Sequence, residues 1–180
     1  MYGIINKAIE ELVIANFGEA KWDAIKIRSG IDVDYFLSRE PYDDEITYAL
    51  AQAVADEMGI TINSVLILFG EWWIVKTTTK KYAGLMHAGG NNFRDFLINL
   101  PLFHNRIMLL YPKLTPPEFE VSNSTANSIH LHYRSKRAGL QDFVRGLIQG
   151  LGVLYETKVD IDLLQSRDKG SSHEIFKITW

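Results

Sequence analysis

Glu118-Phe119-Glu120-Val121-Ser122-Asn123 and Ser128-Ile129-His130-Leu131-His132-Tyr133-Arg134 alternate polar with apolar side chains, and the polar run 123–127 separates them. Alternation at period two places every second side chain on one face, so each run reads as a half-buried strand and the polar run as the turn between them. Residues 159–165 and 174–180 read as two further strands. Upstream of Thr115-Pro116-Pro117 the period is different. Ile5, Ala8, Ile9, Leu12 and Val13 recur at helical spacing over 3–17 with Gly18 as the stop, and a second helix over 19–29 closes on Gly30. A third helix is predicted from Asp43, its cap, to Gly59, with Asp44 and Glu45 suited to the positive end of its dipole. Three more follow: one over 61–76, a short one over 92–99 after the break at Gly89-Gly90, and a separate one around His104 that ends before Pro112. Residues 140–155 return to helix between the two pairs of strands. Helices first and strands later specify an α+β fold, not the alternating order of a dinucleotide-binding domain. The expectation is one domain over 1–180, with a helical N-terminal half and a C-terminal half holding a four-stranded, mainly antiparallel sheet and a helix.

Composition narrows the function. A chain of 180 residues, 47% hydrophobic and 23% charged, is enough for one sizeable core. A formal net charge of −3 argues against nucleic acid or an anionic membrane as the main partner. No apolar run approaches the roughly 18 residues needed to span a bilayer. Glu10 and Glu11 follow Lys7 closely, unlike the basic start of a signal peptide, so the expected location is the cytoplasm. The sequence has no cysteine, which excludes disulfides, iron–sulfur clusters, thiolate zinc, thiol nucleophiles and covalent c-type haem attachment. The last strand ends the sequence, so no effector domain is expected.

Two constellations carry chemistry. In Asn99-Leu100-Pro101-Leu102-Phe103-His104-Asn105-Arg106-Ile107-Met108, Pro101 suits a first helical turn with Asn99 or Leu100 at the cap. Leu100, His104, Ile107, Met108 and Tyr111 then share one face, so a single imidazole looks out of an apolar stripe. A lone histidine in such a stripe is more often a packed core residue than a metal ligand. The second constellation is Tyr133-Arg134-Ser135-Lys136-Arg137. If the chain stays extended, Tyr133, Ser135 and Arg137 project to the side of Ile129 and Leu131, offering two hydroxyls and a guanidinium to a carboxylate or phosphate. A guanidinium on that buried side demands an anionic partner. One imidazole plus a Tyr-x-Ser-x-Arg anion clamp suits haem, held by its iron and its propionates.

The chain resembles the H-NOX family, the haem-nitric oxide/oxygen binding domains related to the sensor domain of soluble guanylate cyclase. The likeness covers nearly the whole chain. It is carried by Met1-Tyr2-Gly3-Ile4-Ile5-Asn6-Lys7, Leu68-Phe69-Gly70-Glu71-Trp72-Trp73, His104, Thr115-Pro116-Pro117, the Tyr133/Ser135/Arg137 motif and Gly146-Leu147-Ile148-Gln149-Gly150. The resemblance implies a non-covalent haem b between the halves, with His104 as proximal iron ligand and Tyr133, Ser135 and Arg137 on the propionates. It implies that Pro117 presses on the porphyrin, that 1–60 form the distal helical part, and that 61–180 form the proximal part. Ile5, Ile9, Trp73, Phe143 and Leu147 then line the distal pocket. In the O2-binding branch a tyrosine ten residues after the clamp tyrosine donates a hydrogen bond to the gas, and that position here is Phe143. Neither a phenyl ring nor Ile9 can donate, and Trp73 would more commonly pack.

The resemblance therefore implies a sensor of NO, also binding CO, and not an enzyme. Its output would pass by NO weakening the iron–His104 bond, to a separate histidine kinase or cyclic-di-GMP enzyme. The rivals are an O2 sensor or store, a haem enzyme such as a peroxidase, which would need distal acid–base groups that the expected distal set lacks, and a haem-free interaction domain. Other motifs read blandly. His130-x-His132 faces away from the core without a third ligand at zinc spacing. Asp32/Asp34 and Asp160/Asp162 read as solvated positions or caps. Gly146, Gly150 and Gly152 fall within a helix without phosphate-loop context, so they read as permitting close approach of another helix or of the cofactor.

Overall fold

The computed structural model describes residues 1–180. The helices are α1 (Gly3–Phe17), α2 (Glu19–Ser29), α3 (Asp44–Met58), α4 (Ile62–Lys81), α5 (Ala83–Gly89) and α6 (Phe93–Leu110). Then come β1 (Glu118–Ser122), β2 (Ser128–Arg134), α7 (Gln141–Leu154), β3 (Asp160–Gln165) and β4 (Glu174–Thr179). The architecture is α+β as expected, with strand order β1-β2-β4-β3 and every pairing antiparallel. No single helix is long and apolar enough to cross a membrane.

Each layer closes its own core. Ala8, Ile9, Leu12, Val13, Leu50 and Val54 of α1 and α3 meet Val65 and Phe69 of α4. The start of α1 is pinned by a bridge between Tyr2 and Pro41 and by Gly3 N–H donating to Glu40 O at 2.8 Å. A Cβ on Gly3 would stand 2.2 Å from Leu37 O, so the crossing admits only glycine. In the sheet, Phe119, Ile129, Leu131, Tyr133, Phe176 and Ile178 face inward onto α6 and α7. The opposite face carries Glu118, Glu120, His130, His132, Lys177, Asp160 and Asp162, as the period-two pattern requires.

The layers are joined where α4 crosses α7. A Cβ on Gly146 would lie 2.1 Å from Ile67 O, one on Gly70 2.3 Å from Phe143 O, and one on Gly150 2.8 Å from Ile74 Cβ. Gly146 and Gly150 of α7 therefore permit close approach of another helix, whereas Gly152 lies against Thr157 and Val159.

Two departures from the sequence reading matter for the site. The short helix and the His104 helix are one, α6, because Asn92 caps it: its side chain accepts the Asp95 N–H at 2.9 Å. Pro101 lies inside the helix, where losing an N–H and crowding the preceding turn cost about 3 kcal/mol. Phe93, Phe96 and Leu97, each at most 2% exposed, offset this, since full burial of one such side chain is worth about 1.5–3 kcal/mol. The helix predicted to end at 76 runs on to Lys81 through a π-helical stretch, Trp73–Thr78. Threonine hydroxyls bond back within it, Thr78 Oγ1 donating to Ile74 O at 2.8 Å and Thr79 Oγ1 to Val75 O at 2.7 Å. The widened turn changes which side chains of α4 face inward. Helix α5 is a further difference, since the sequence pattern places no helix over 83–89.

Candidate functional site

Between the layers lies a cleft enclosing about 1100 Å³, its mouth included. Its walls are mostly apolar. The start of α1 contributes Tyr2, Ile4 and Ile5; the π stretch Trp73 and Thr78; α6 Phe103, His104 and Ile107; and α7 Phe143, Val144 and Leu147. Thr115, Pro116 and Pro117 edge it, and Tyr133, Ser135 and Arg137 stand together at one side. Of the residues singled out from the sequence, the cleft thus gathers His104, Tyr133, Ser135, Arg137, Pro117, Ile5, Trp73, Phe143 and Leu147. Ile9 is the exception. It sits one turn beyond Ile5 with 3% exposure, packed into the helical core, so it backs the wall and does not line the cleft.

His104 packs its ring against Phe119 at 5.3 Å between centroids and against Phe103 at 6.0 Å. Its Nδ1 is completely covered and has no hydrogen-bond partner. Burial pushes the imidazole below its usual value, and the Leu100 carbonyl one turn back opposes this only in part, falling short of a hydrogen bond. The ring is therefore neutral at pH 7. Nε2 also makes no hydrogen bond, and as the nitrogen that is not sealed off it is the atom presented to the cleft. A neutral imidazole with a free lone pair in an apolar cleft is a nitrogen donor suited to a transition metal.

The side holding Tyr133, Ser135 and Arg137 is built differently from the sequence expectation. Strand β2 ends at Arg134, so Ser135 and Arg137 are not on an extended run at period two. They lie in a bend, where Ser135 Oγ accepts the Arg137 N–H at 3.1 Å, and they reach the cleft through that turn. Nor does Arg137 await a partner. Its Nε donates to Asp44 Oδ2 at 2.7 Å, Nη2 to Asp44 Oδ1 at 3.3 Å and Nη1 to Thr115 O at 2.9 Å. By sequence Asp44 is only a dipole-complementing residue of α3, and nothing local links it to Arg137, 93 positions away. Burial raises the Asp44 carboxyl, but bonding to Arg137 and to the Met1 nitrogen wins and holds it below the usual carboxylate value. Burial likewise pushes the Tyr133 hydroxyl up, so it stays protonated and able to donate.

Polar groups missed from the sequence also reach the cleft. Tyr82 and Tyr111 are hydrogen-bonded through their hydroxyls, Tyr2 packs edge-on to Tyr111 at 4.8 Å, and Tyr2 OH accepts the Lys113 N–H at 3.0 Å. All three pack with Ile107 of α6 and with Ile5 and Trp73. The wall formed by Ile5, Phe143 and Leu147 is apolar, with Phe143 against Phe69 at 5.1 Å. On the outer sheet face His132 bonds Ser122 at 2.8 Å and His173 at 2.9 Å, and no group of three or more His, Cys, Asp or Glu side chains is placed to hold a metal.

A sequence-family profile described as Haem-NO-binding matches residues 2–163. Soluble guanylate cyclase gcy-31 of Caenorhabditis elegans is 28% identical over 180 residues, covering 99% of this chain and 26% of its own length. Soluble guanylate cyclase 89Da of Drosophila melanogaster is 24% identical over 148 residues, covering 81% of this chain and 22% of its own. The chain thus spans about a quarter of the length of the curated relatives it matches. Among solved structures, an H-NOX protein from S. oneidensis in the Fe(II)NO ligation state superposes with a TM-score of 0.89 at 21% identity, covering 99% of this chain and 98% of that one. The Fe(II) unliganded H-NOX protein from K. algicida gives 0.86 at 24% identity, covering 99% and 96%.

Proposed function

The chain belongs to the haem-NO-binding, or H-NOX, family of haem-binding gas-sensor domains, and on that premise we propose that it holds haem b in the cleft through His104 and senses nitric oxide. The observation that carries the reading is His104: a neutral imidazole in an apolar wall, its Nδ1 sealed off and its other nitrogen toward the cleft. Bound there, the haem iron supplies an open coordination position for a diatomic gas. The donor set fits the rest of the group. The protonated Tyr133 hydroxyl, Ser135 and the Arg137 guanidinium offer hydrogen-bond donors to its carboxylates, and Asp44 keeps Arg137 fixed and charged before they arrive. Pro117, stiff at its backbone and lining the same cleft as His104, is the wedge. Ile5, Trp73, Phe143 and Leu147 form the gas-facing wall, with Ile9 behind it.

Ligand choice follows from that wall. Bound O2 carries partial negative charge and needs a donor, whereas NO and CO need one far less. Phe143 cannot donate. The hydroxyl of Thr78 is committed to Ile74 O, and those of Tyr82 and Tyr111 are bonded to each other. The wall supports NO and CO over O2. Signalling then runs through α6. Its first turns are anchored in the sheet-side core by Phe93, Phe96 and Leu97, and with haem bound His104 would tether its second half to the cleft. Loss of that tether would free the half to shift, a two-state element that a gas could bias. The receiver is a separate signalling protein, a histidine kinase or a cyclic-di-GMP enzyme, in the cytoplasm.

The test is the absorption spectrum of protein loaded with haem, reduced with dithionite and then exposed to NO or CO. Five-coordinate ferrous haem that shifts on adding each gas is expected. A preparation that takes up no haem, or haem whose spectrum ignores both gases, overturns the reading.

A further inference from the structure

Next to the cleft, but not lining it, is a second guanidinium with a different set of partners. Arg167 begins a single 3-10 turn, Arg167–Lys169, capped by Ser166, whose hydroxyl accepts the Asp168 N–H at 3.2 Å. The turn is tied to the start of α7: Ser166 Oγ donates to Gln141 Oε1 at 2.8 Å, and Gln141 Nε2 to Asp168 Oδ2 at 2.8 Å. From this base Arg167 Nε donates to Glu174 Oε1 at 2.8 Å and Oε2 at 2.9 Å. Its Nη1 donates to Ser135 O at 2.7 Å and its Nη2 to Arg137 O at 3.1 Å. The guanidinium carbon stands 5.9 Å from the centre of the Tyr133 ring. One side chain therefore touches all three residues of the Tyr-x-Ser-x-Arg motif, two of them through their backbone.

The need for such a contact comes from the end of β2. The ladder stops at Arg134, so the Ser135 and Arg137 carbonyls have no strand to accept from. Glu174, with a side chain 3% exposed, is the direct cross-strand neighbour of Tyr133 and neutralises Arg167 from the sheet side. A carboxylate so deeply placed is tolerated because it is bonded by both oxygens to one guanidinium.

We infer that Arg167 and Glu174 are positioning residues for carboxylate binding: together they take the place of the missing strand and hold the backbone that aims Ser135 and Arg137 into the cleft. This rests on the reading that those residues receive the haem carboxylates. Arg167 does not itself meet the ligand. It acts through the two carbonyls, and its planar fork is what the role requires. Lysine keeps the charge and can pair with Glu174, but one ammonium cannot serve a carboxylate and two carbonyls in the same plane.

The experiment measures haem loss to excess apomyoglobin from wild type and Arg167→Lys, with native haem and with haem dimethyl ester, whose carboxylates are masked. Wild type is expected to lose the ester faster than haem. Arg167→Lys is expected to lose native haem about tenfold faster than wild type, on the scale of outer hydrogen-bond partners of bound groups, and to lose the ester at the wild-type rate. A variant that speeds the loss of both forms equally, or of neither, overturns the inference. If wild type itself releases both forms at one rate, the carboxylate clamp reading fails first. Should Arg167→Lys not fold, Glu174→Gln, which keeps the guanidinium and an acceptor, carries the same comparison.

Discussion

Gly146→Ala sets two physical effects against each other, and the structure decides which wins. On an open helix face the change stabilises, because alanine is the better helix former by about 1 kcal/mol. At Gly146 the new Cβ would lie 2.1 Å from Ile67 O, 2.8 Å from Ile67 C and 2.9 Å from Ile67 Cα. All three are backbone atoms of α4, so no side chain can swing aside. A relaxed carbon–oxygen contact needs about 3.3 Å, so α4 and α7 must separate locally by roughly 1 Å. Overpacking a tight interface costs about 1–3 kcal/mol. With the propensity gain of about 1 kcal/mol subtracted, the net loss is up to about 2 kcal/mol, or a Tm lower by as much as roughly 4–8 °C in a domain of this size. Gly84 is the control: it lies in α5 with nothing within 4 Å of an added Cβ, so Gly84→Ala follows propensity alone. Urea unfolding of the haem-free proteins, followed by far-ultraviolet circular dichroism, gives both values. The expected order of stability is Gly84→Ala at or above wild type, with Gly146→Ala below. A Gly146→Ala protein stabilised as much as Gly84→Ala would refute the claim that backbone contact between these helices joins the layers.

Three further outcomes are expected. His104→Gly should purify with little or no haem and recover a haem spectrum when imidazole is added as a replacement ligand; full loading without imidazole would point to another ligand. Asp44→Asn should cost about 1–2 kcal/mol at neutral pH, between the scales for exposed and buried pairs because the Asp44 and Arg137 side chains are 32% and 21% exposed. Because the folded-state carboxyl lies below the usual 3.8, this stabilisation is present above that value and lost as pH falls further, so the gap between variant and wild type should close in acid urea titrations. The reduced wild-type protein in air should form no lasting oxy complex, while Phe143→Tyr should make one detectable by its absorption spectrum; a stable wild-type oxy spectrum would show that another donor, Trp73 first among them, reaches the gas.

Most of the element pattern was legible because it depends on local periodicity. The alternation over β1 and β2, the α1 stripe and the stops at Gly18, Gly30 and Gly59 are short-range signals, and the elements formed where those signals placed them. Three features were not local. Pro101 looked like a helix start, but burial of Phe93, Phe96 and Leu97 carries one helix through it. The π-helical stretch in α4 leaves no period to read, and with it Thr78 and Tyr82 enter the cleft unannounced. Arg137 could be recognised as an anion binder from its neighbours in the chain, but its present partner, Asp44, comes from a helix in the other layer. The sequence by itself determined which residues could ligate iron or hold a carboxylate, because that is a matter of side-chain chemistry. Only the tertiary structure decided which nitrogen of His104 is sealed off, that Ile9 stands behind the wall, and that Arg167 reaches across to hold the motif. Those are matters of what lies within a few ångströms once distant segments pack.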